Sequence, residues 1–298
     1  MGLSIAIEEV AKYSNAPALI LLLTRLATGP LQIALTEDQK MRYLPGIANG
    51  SLSASFALSE PGAGSDAVGM RTVALPDPEI NGGWVLDGVK CWISGIAQAG
   101  WFTVFVKTGP AVFRKHDSIT AFVLDRDLPR VSIGWLDRKM GVHGVDTGEL
   151  ILDHLRVGKE AVIGEVGGFR LAMLSLSAMR PIVAARGLGL AEVALMYAVD
   201  NVKRREVFGK TIAAFQGIQW EISKLTMKIE AARLLRYRAA MMADNGQFGK
   251  SSVPQLSVAK YFATEIAVRA SSLAVQLLGA QVIWKITLWR CFIGMPNS

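Results

Sequence analysis

The residue pattern changes twice along the 298-residue chain, from helical to β-rich and back to helical. Residues 3–35 are rich in helix formers, and their apolar members recur at helical spacing, which predicts one or two buried helices. From residue 52, short β-rich runs alternate with turn residues, and after Gly167-Gly168 the helical period returns. This order predicts an α+β fold with a helical N-terminal part, a middle antiparallel β-domain and a C-terminal helical bundle.

Local signals add detail to this outline. Residues 36–39 read Thr-Glu-Asp-Gln, a capping box that starts a short helix, and Pro45-Gly46 is expected to close it. Asp87-Gly88 lies between two β-rich runs and predicts a type I′ hairpin turn. The spacing of apolar residues over 218–235 predicts one long amphipathic helix, and Pro254 marks the start of another.

Composition excludes several classes of protein. Hydrophobic residues make up 51% of the chain and charged residues 19%, which excludes a disordered protein and allows burial shared between subunits. The net charge of +7 is not concentrated in any run, so nucleic acid is not expected as a partner.

Cys91 and Cys291 cannot form a disulfide framework, which favours a reducing compartment. His116, His143 and His154 lie far apart and are expected at the surface or in turns, so no metal site is predicted.

Neither a membrane span nor a targeting signal is expected. The apolar stretch Ala16 to Leu23 is interrupted by Thr24 and Arg25, well short of the roughly 20 residues that a span needs. Glu8 and Glu9 stand where a signal peptide would be basic. The expected location is the cytoplasm of a bacterium or the mitochondrial matrix of a eukaryote.

Several sequence motifs contain residues that could bind a cofactor or a phosphate group, and each could instead have a purely structural role. Residues 56–66 end a β-run in a glycine-bearing loop whose amides could approach a flavin ring or a phosphate, or could form an ordinary turn. The tryptophan within residues 91–95 is either a wall of a cofactor site or, more commonly, a core residue. The arginine that opens residues 205–209 could grip a pyrophosphate or complement a helix dipole, and Arg180 before Pro181 is similar.

Taken together, these strings resemble the acyl-CoA dehydrogenase family over nearly the whole chain, up to residue 280. The matching motifs are F-x-L-[ST]-E-P-x-x-G-S-D at 56–66, W-I-[ST] at 92–94, K-M-G at 139–141, R-x-x-F-G at 205–209 and F-Q at 215–216. The resemblance implies FAD in a cleft between sheet and helices. The implied domains are a partial N-terminal helical domain (1–51), a middle β-domain (52–165) and a C-terminal helical domain (166–280).

The resemblance also implies a role for each matching residue. The isoalloxazine ring would be held by Phe56, Leu58, Ser59, Trp92, Ile93 and Ser94. Arg205 and Gln216 would reach the FAD of a neighbouring subunit, with Phe208 in the same cofactor site, and Ser65 and Arg180 would contact acyl-CoA. The implied reaction is FAD-dependent α,β-dehydrogenation: a glutamate removes the α-proton of the thioester while the β-carbon gives a hydride to flavin N5. Electrons would leave to an electron-transfer flavoprotein, and the chain would assemble as a homodimer or homotetramer.

The sequence departs from the family pattern at the catalytic base. No Tyr-Glu-Gly-Thr stretch occurs, and Met179 stands before Arg180, where a few members carry the glutamate instead. No catalytic residue is therefore assigned, and impaired activity is expected. The alternative is a non-catalytic flavin- or acyl-CoA-binding or interaction protein.

The two ends of the sequence also depart from the pattern. The chain is expected to begin inside the family's N-terminal helical domain. Residues 281–298 have no helical period, and a reading frame shifted by one base can encode the Arg-Asp-Ala-Lys string that the family carries here, so a frameshift near Ala280 is expected.

Overall fold

The structure, a computed structural model, describes residues 1–109 and 118–283. The chain divides into two compact units. The helical unit comprises Met1–Leu22, Lys139–Gly144 and the chain from Ser177, and the β unit comprises Leu23–Arg138 and Val145–Leu176. His116 and, with Cys291, the part of the predicted frameshifted tail (281–298) that begins at residue 284 lie outside the described residues.

The chain opens with helices α1 (Gly2–Tyr13), α2 (Asn15–Ala34) and α3 (Glu37–Ala48). The predicted capping box is confirmed: Thr36 Oγ1 accepts a hydrogen bond from the Gln39 amide at 3.3 Å, and Gln39 Oε1 accepts one from the Thr36 amide at 3.0 Å. The prediction that Pro45-Gly46 closes α3 is wrong. The proline lacks only its own N–H donor, and its carbonyl still accepts from the Asn49 amide at 3.0 Å, so the helix continues to Ala48.

The β unit is built on an 8-stranded sheet. Its strands are β1 (Ala54–Ala57), β2 (Val73–Pro76), β3 (Trp84–Ser94), β4 (Trp101–Lys107), β5 (Ile119–Asp125), β6 (Val131–Leu136), β7 (Thr147–Val157) and β8 (Val162–Ile163). Their order is β6-β7-β3-β2-β4-β5-β8, with β1 paired to β4. The pairs are antiparallel except β1 with β4 and β2 with β4, which are parallel.

Strand β4 is buried on both faces. Phe105 enters a core cluster with α2, whereas Phe102 and Val104 enter a second cluster with β7. Thr103 interrupts the apolar pattern, but its Oγ1 donates to the Ala27 carbonyl at 2.9 Å, so the buried hydroxyl is satisfied. A strand covered on both faces is expected to be almost continuously apolar, as residues 101–106 are.

Asp87-Gly88 does not turn the chain, so the predicted type I′ hairpin is wrong. Both residues lie inside β3, where the register against β7 shifts between Leu86 and Gly88. Gly88 has a φ of +141°, and a Cβ there would lie 2.7 Å from Thr72 Oγ1. The glycine therefore permits a β-bulge and close packing against Thr72 instead of a turn.

The helical unit contains α4 (Phe169–Arg204) from Ser177 onward, followed by α5 (Gln216–Asp244) and α6 (Val253–Leu278), which confirms the two predicted helices. A short hairpin of β9 (Glu206–Val207) and β10 (Lys210–Thr211) separates α4 from α5. Helix α1 packs so closely on α4 that a Cβ on Gly189 would lie 2.3 Å from the Glu8 carbonyl oxygen. Only glycine fits at this contact.

Helices α2 and α4 are long and apolar enough to cross a membrane by length and composition alone. The buried share of the apolar window is 39% in α2 and 56% in α4. Core helices of soluble proteins pass the same test, so these helices are weak evidence for a span.

We expect Phe105→Ala to lower the free energy of unfolding by about 3–5 kcal/mol, because the truncation leaves a cavity. Phe105 is fully buried, and its ring centroid lies 5.2 Å from that of Phe56. The matched control is Trp135→Ala on β6: Trp135 is 72% exposed, and its loss should change stability by no more than about 0.5 kcal/mol. Urea unfolding followed by circular dichroism measures both, and equal effects would contradict the core assigned to β4.

Candidate functional site

The predicted flavin-contacting residues of the β unit lie where β1 and β3 end. Ser55 of β1 donates from Oγ to the Ser94 carbonyl at 2.9 Å. The Cys91 amide donates to the Ser59 carbonyl at 3.0 Å. The motifs at 56–66 and 92–94, which are distant in sequence, are therefore neighbours in the fold.

Trp92 is held at the surface in an unusual backbone conformation. Its φ is +58°, in the left-handed region that costs a non-glycine residue roughly 1–2 kcal/mol. It lies where the register of β3 against β7 shifts between Lys90 and Ile93. Ile93 is buried in the core, Ser94 is half-buried and Trp92 is 58% exposed. The alternative that Trp92 is a core residue is therefore wrong.

The side chains near Trp92 combine apolar surface with unpaired hydroxyls. Phe56 and Leu58 are half-buried against the core of the β unit. Neither the Ser59 nor the Ser94 hydroxyl bonds any residue within 1–109 and 118–283. An exposed indole, apolar side chains and free hydroxyls suit a flat aromatic ring with polar edge atoms. The chemistry of these residues fits the isoalloxazine ring of FAD.

The loop after β1 is closed by its own backbone. The Glu60 amide donates to the Ala63 carbonyl at 3.1 Å, and the Ala63 amide donates to the Glu60 carbonyl at 3.0 Å. Asp66 accepts from the Gly69 amide at 3.2 Å. Ser65 lies exposed in this loop, where its hydroxyl is accessible to a ligand.

A buried ion pair that sequence reasoning missed anchors this loop. Lys90 is fully buried and Glu60 is 4% exposed, with Nζ and Oε1 2.7 Å apart. Lys90 Nζ also donates to the Leu58 carbonyl at 3.2 Å. The Glu60 carboxylate accepts further bonds from the amides of Arg71 (2.5 Å) and Thr72 (3.1 Å) and from the Thr72 hydroxyl (2.6 Å). Each charge is therefore hydrogen-bonded as well as paired, which a buried ion pair requires.

The environment shifts the pKa of each member of this pair and of the adjacent thiol. Burial lowers the pKa of the Lys90 ammonium by more than the charge of Glu60 raises it. Burial raises the pKa of the Glu60 carboxyl, but the charge of Lys90 and the hydrogen bonds lower it further, so the result lies below the ordinary value of 4.5. Glu60 is therefore ionised at neutral pH. Burial also raises the pKa of the Cys91 thiol.

In the helical unit, Arg205, Phe208 and Gln216 lie along the β9-β10 hairpin and the start of α5. Phe208 and Gly209 form the hairpin tip with φ of +53° and +75°, the signs of a type I′ turn, and Phe208 is 94% exposed. Arg205 Nη1 donates to the Leu278 carbonyl at 3.4 Å, and Gln216 is exposed as the first residue of α5. The fold thus brings these three predicted residues to one region.

Arg180 lies inside α4 directly before Pro181. Its side chain is half-buried, and Nη1 donates to the Val253 carbonyl at 3.4 Å, a long bond that leaves the guanidinium other donors for a ligand. Met179, at the preceding position, is 3% exposed.

Asp87, Asp153 and His154 come within reach of one common ion on the exposed side of β3 and β7. Their contacts already pair them: His154 Nδ1 lies 2.9 Å from Asp87 Oδ2 and 3.1 Å from Asp153 Oδ1, and Arg130 donates to Asp153 at 3.2 Å. The cluster is a surface network of polar contacts that includes the ion pair of Arg130 with Asp153. His154 and His143 are both exposed, as predicted.

Comparison with known proteins identifies the family. The profile "Acyl-CoA dehydrogenase, middle domain" matches residues 55–155, and "Acyl-CoA dehydrogenase, C-terminal domain" matches residues 167–290. A probable acyl-CoA dehydrogenase of Mycobacterium leprae is 39% identical over 276 residues, which cover 92% of this chain and 69% of that protein. The chain belongs to the acyl-CoA dehydrogenase family.

Solved structures agree with this assignment. Butyryl-CoA dehydrogenase from Megasphaera elsdenii matches with a TM-score of 0.91 at 35% identity, over 97% of this chain and 74% of that one. A chain in the structure of the electron transferring flavoprotein of Acidaminococcus fermentans matches with 0.90 at 34%, over 97% and 74%. A glutaryl-CoA dehydrogenase from Mycobacterium smegmatis in complex with FADH2 matches with 0.87 at 25%, over 98% and 72%. The predicted fold class and the family resemblance are confirmed.

We expect Trp92→Gly to be more stable than Trp92→Ala by about 1 kcal/mol, the reverse of the usual order in a strand, because glycine adopts the left-handed conformation without strain. Urea unfolding of both variants measures the difference. The control is the same pair of substitutions at Trp84 in β3, which has no positive φ, where alanine should be the more stable. An alanine variant that is more stable at both positions would contradict the strain assigned to Trp92.

We expect the stability of the wild-type protein to fall more steeply with acid than that of Glu60→Gln with Lys90→Met, a double variant that removes the carboxyl without leaving an unpaired buried ammonium. The pKa of Glu60 is lower in the folded protein than its ordinary 4.5, so its stabilisation is present above that value and is lost as the pH falls through the lowered pKa. Urea titrations from about pH 6 to about pH 3 measure both slopes. Glu37→Gln, at a side chain that is 85% exposed, should keep the wild-type slope. Identical slopes for all three proteins would contradict the shift.

Proposed function

We propose that the chain binds FAD and an acyl-CoA thioester and has the family's activity, α,β-dehydrogenation of the thioester, in impaired form. The observation that carries the proposal is the strained, exposed Trp92 on the same pair of neighbouring segments as the unpaired hydroxyls of Ser59 and Ser94. A costly backbone conformation that leaves an indole in solvent is typical of a ligand site. Membership of the family, and the likeness to a glutaryl-CoA dehydrogenase that holds FADH2, support this cofactor.

The proposed roles follow the family motifs. The isoalloxazine ring is assigned to Phe56, Leu58, Ser59, Trp92, Ile93 and Ser94. Because the Ile93 side chain is buried, Ile93 contributes through its backbone. The FAD of a neighbouring subunit is assigned to Arg205, Phe208 and Gln216, and acyl-CoA to Ser65 and Arg180.

When bound, FAD supplies the acceptor for the hydride that leaves the β-carbon of the thioester. The protein's own part is to bind and orient. The hydroxyls of Ser59 and Ser94 would bond polar edge atoms of the ring, and Trp92 and Leu58 would supply apolar contact to it. We propose an electron-transfer flavoprotein as the electron acceptor, which the likeness to a chain in the Acidaminococcus fermentans structure supports.

At the position before Arg180, where a few family members carry the base, this sequence carries Met179 instead of a carboxylate. Met179 before Arg180 is buried and cannot accept a proton. We therefore expect the 298-residue chain to bind both ligands with little or no turnover. The same observation favours, as the second candidate, a non-catalytic flavin- or acyl-CoA-binding protein that acts through partners.

The decisive experiment is the visible spectrum of the purified protein, followed by anaerobic mixing with short and medium acyl-CoAs. We expect a yellow protein whose flavin band is retained on mixing. A colourless protein that cannot be reconstituted with FAD would overturn the proposed cofactor. Substantial bleaching would show that another residue serves as the base, which would refute the expected impairment.

We expect Met179→Glu to raise the rate of flavin bleaching by acyl-CoA at least about 100-fold, because it supplies a carboxylate where a few family members carry one. Burial should raise the pKa of the new carboxyl towards the range useful for a base. Stopped-flow absorbance under anaerobic conditions measures the rate. Met179→Gln is the isosteric control and should bleach no faster than the wild type; equal rates for the two variants would contradict the assigned position of the base.

We propose that the chain forms a homodimer or homotetramer. Every seventh residue along α5 is a large exposed apolar side chain: Trp220, Met227, Leu234 and Met241. Such spacing places them on one stripe of the helix, and an exposed apolar stripe marks an interface.

We expect Trp220→Ser with Leu234→Ser to shift the protein to a smaller species in sedimentation velocity, because the stripe loses its apolar anchors. Trp135→Ser on the exposed side of β6 is the control and should leave the sedimentation coefficient unchanged. The same species for all three proteins would exclude this stripe as the interface.

We propose the bacterial cytoplasm or the mitochondrial matrix as the location. The buried free thiol of Cys91 suits a reducing compartment. Cell fractionation with an antibody against the protein tests the assignment, and recovery outside these compartments would refute it.

A further inference from the structure

The buried pair of Lys90 and Glu60 is placed between the two segments that carry the proposed ring contacts. Glu60 directly follows Ser59, and Lys90 lies two positions before Trp92. Lys90 Nζ bonds both the Glu60 carboxylate at 2.7 Å and the Leu58 carbonyl at 3.2 Å. A single ammonium group therefore ties the loop after β1 to the end of β3.

Burying an ion pair contributes little by itself to the free energy of unfolding. Removing both ions from water costs about as much as their attraction returns, and apolar residues of similar volume are often as stable. The pair is better suited to fixing geometry, because its bonds are directional and each has a defined length. The bonds from Arg71 and Thr72 to Glu60 then leave the carboxylate a single orientation.

We propose that Lys90 and Glu60 are positioning residues that hold Leu58-Ser59 against Trp92–Ser94 at the separation that the flavin ring requires. This inference rests on the proposed function, since it assumes that these segments bind FAD. The pair acts through its neighbours and does not touch the ring. The bond from the Cys91 amide to the Ser59 carbonyl at 3.0 Å lies between the two segments and depends on the same alignment.

Cys91 gives a readout that does not involve FAD. Cys91 is 4% exposed and its amide donates to the Ser59 carbonyl at 3.0 Å, so a reagent such as Ellman's reaches the thiol only when the end of β3 opens locally. In a Cys291→Ser background Cys91 is the remaining cysteine, because the chain contains 2. The rate of thiol labelling in the FAD-free protein therefore reports how often the end of β3 opens, and weaker bonding between the two segments should make that opening more frequent.

The test compares variants of the pair with a buried pair elsewhere. Glu60→Gln with Lys90→Met removes both charges and avoids an unpaired buried ion. Thr72→Val is a milder variant that removes one bond to Glu60 at nearly constant volume. The control is Glu8→Gln with Arg236→Met, which neutralises two side chains that are 3% and 1% exposed in the helical unit, lies in no proposed site and leaves Arg233, a second partner of Glu8, paired with Glu192 and Glu230.

We expect the double variant at Glu60 and Lys90 to label at Cys91 at least about tenfold faster and to bind FAD at least about tenfold more weakly, with a shifted visible band. Thr72→Val should show the same changes to a smaller degree, and the control pair should show neither. Unchanged labelling and FAD affinity in the double variant, or equal changes in the control, would overturn the proposal. If the wild-type protein does not bind FAD, the proposed function fails. The positioning role is tested separately in the FAD-free protein: a labelling rate that does not rise in the double variant would refute it.

Discussion

The double burial of β4 is the constraint on which the β unit depends. One edge of β4 pairs with β5 along its whole length, while the other carries β1 at the start, from Ala54↔Trp101 to Ala57↔Val104, and β2 at the end. Because both faces of β4 are also packed, the strand cannot shift without breaking two core clusters. The point at which the chain leaves β1 for the site loop is fixed by this pairing.

Apolar packing alone does not place that loop. Of the residues after Ala57, Leu58 and Ser59 are half-buried and residues 61, 62 and 64–66 are exposed, so apart from the buried Ala63 the loop gains its order from directional bonds: the exchange between Glu60 and Ala63, and the contacts of Lys90. In the β unit, non-directional apolar packing therefore fixes the positions of the strands. A small buried network of polar groups fixes the segments at the strand ends. The strained φ of Trp92 persists because both surround it.

Local patterns predicted much of this arrangement. The capping box, the helices α5 and α6 and the β-rich segment depend on neighbours in sequence, and the motif strings correctly indicated the two strand ends. Asp87-Gly88 wrongly predicts a hairpin turn because a β-bulge and a tight turn can both require a glycine with positive φ. The exposure of Trp92 depends on a local register shift, and the pairing of Lys90 with Glu60 joins residues 30 positions apart. Neither follows from composition or periodicity.

The hairpin tip at Phe208-Gly209 has a consequence for recognition. Both residues occupy left-handed conformations in a two-residue turn, so the phenyl group is presented from a backbone with few alternatives. A surface that covers this ring meets a group that is already ordered, and association loses little conformational entropy. The same stiffness would keep the tip from adapting to a displaced or shallow pocket, so a surface that covers Phe208 would have to match its position closely.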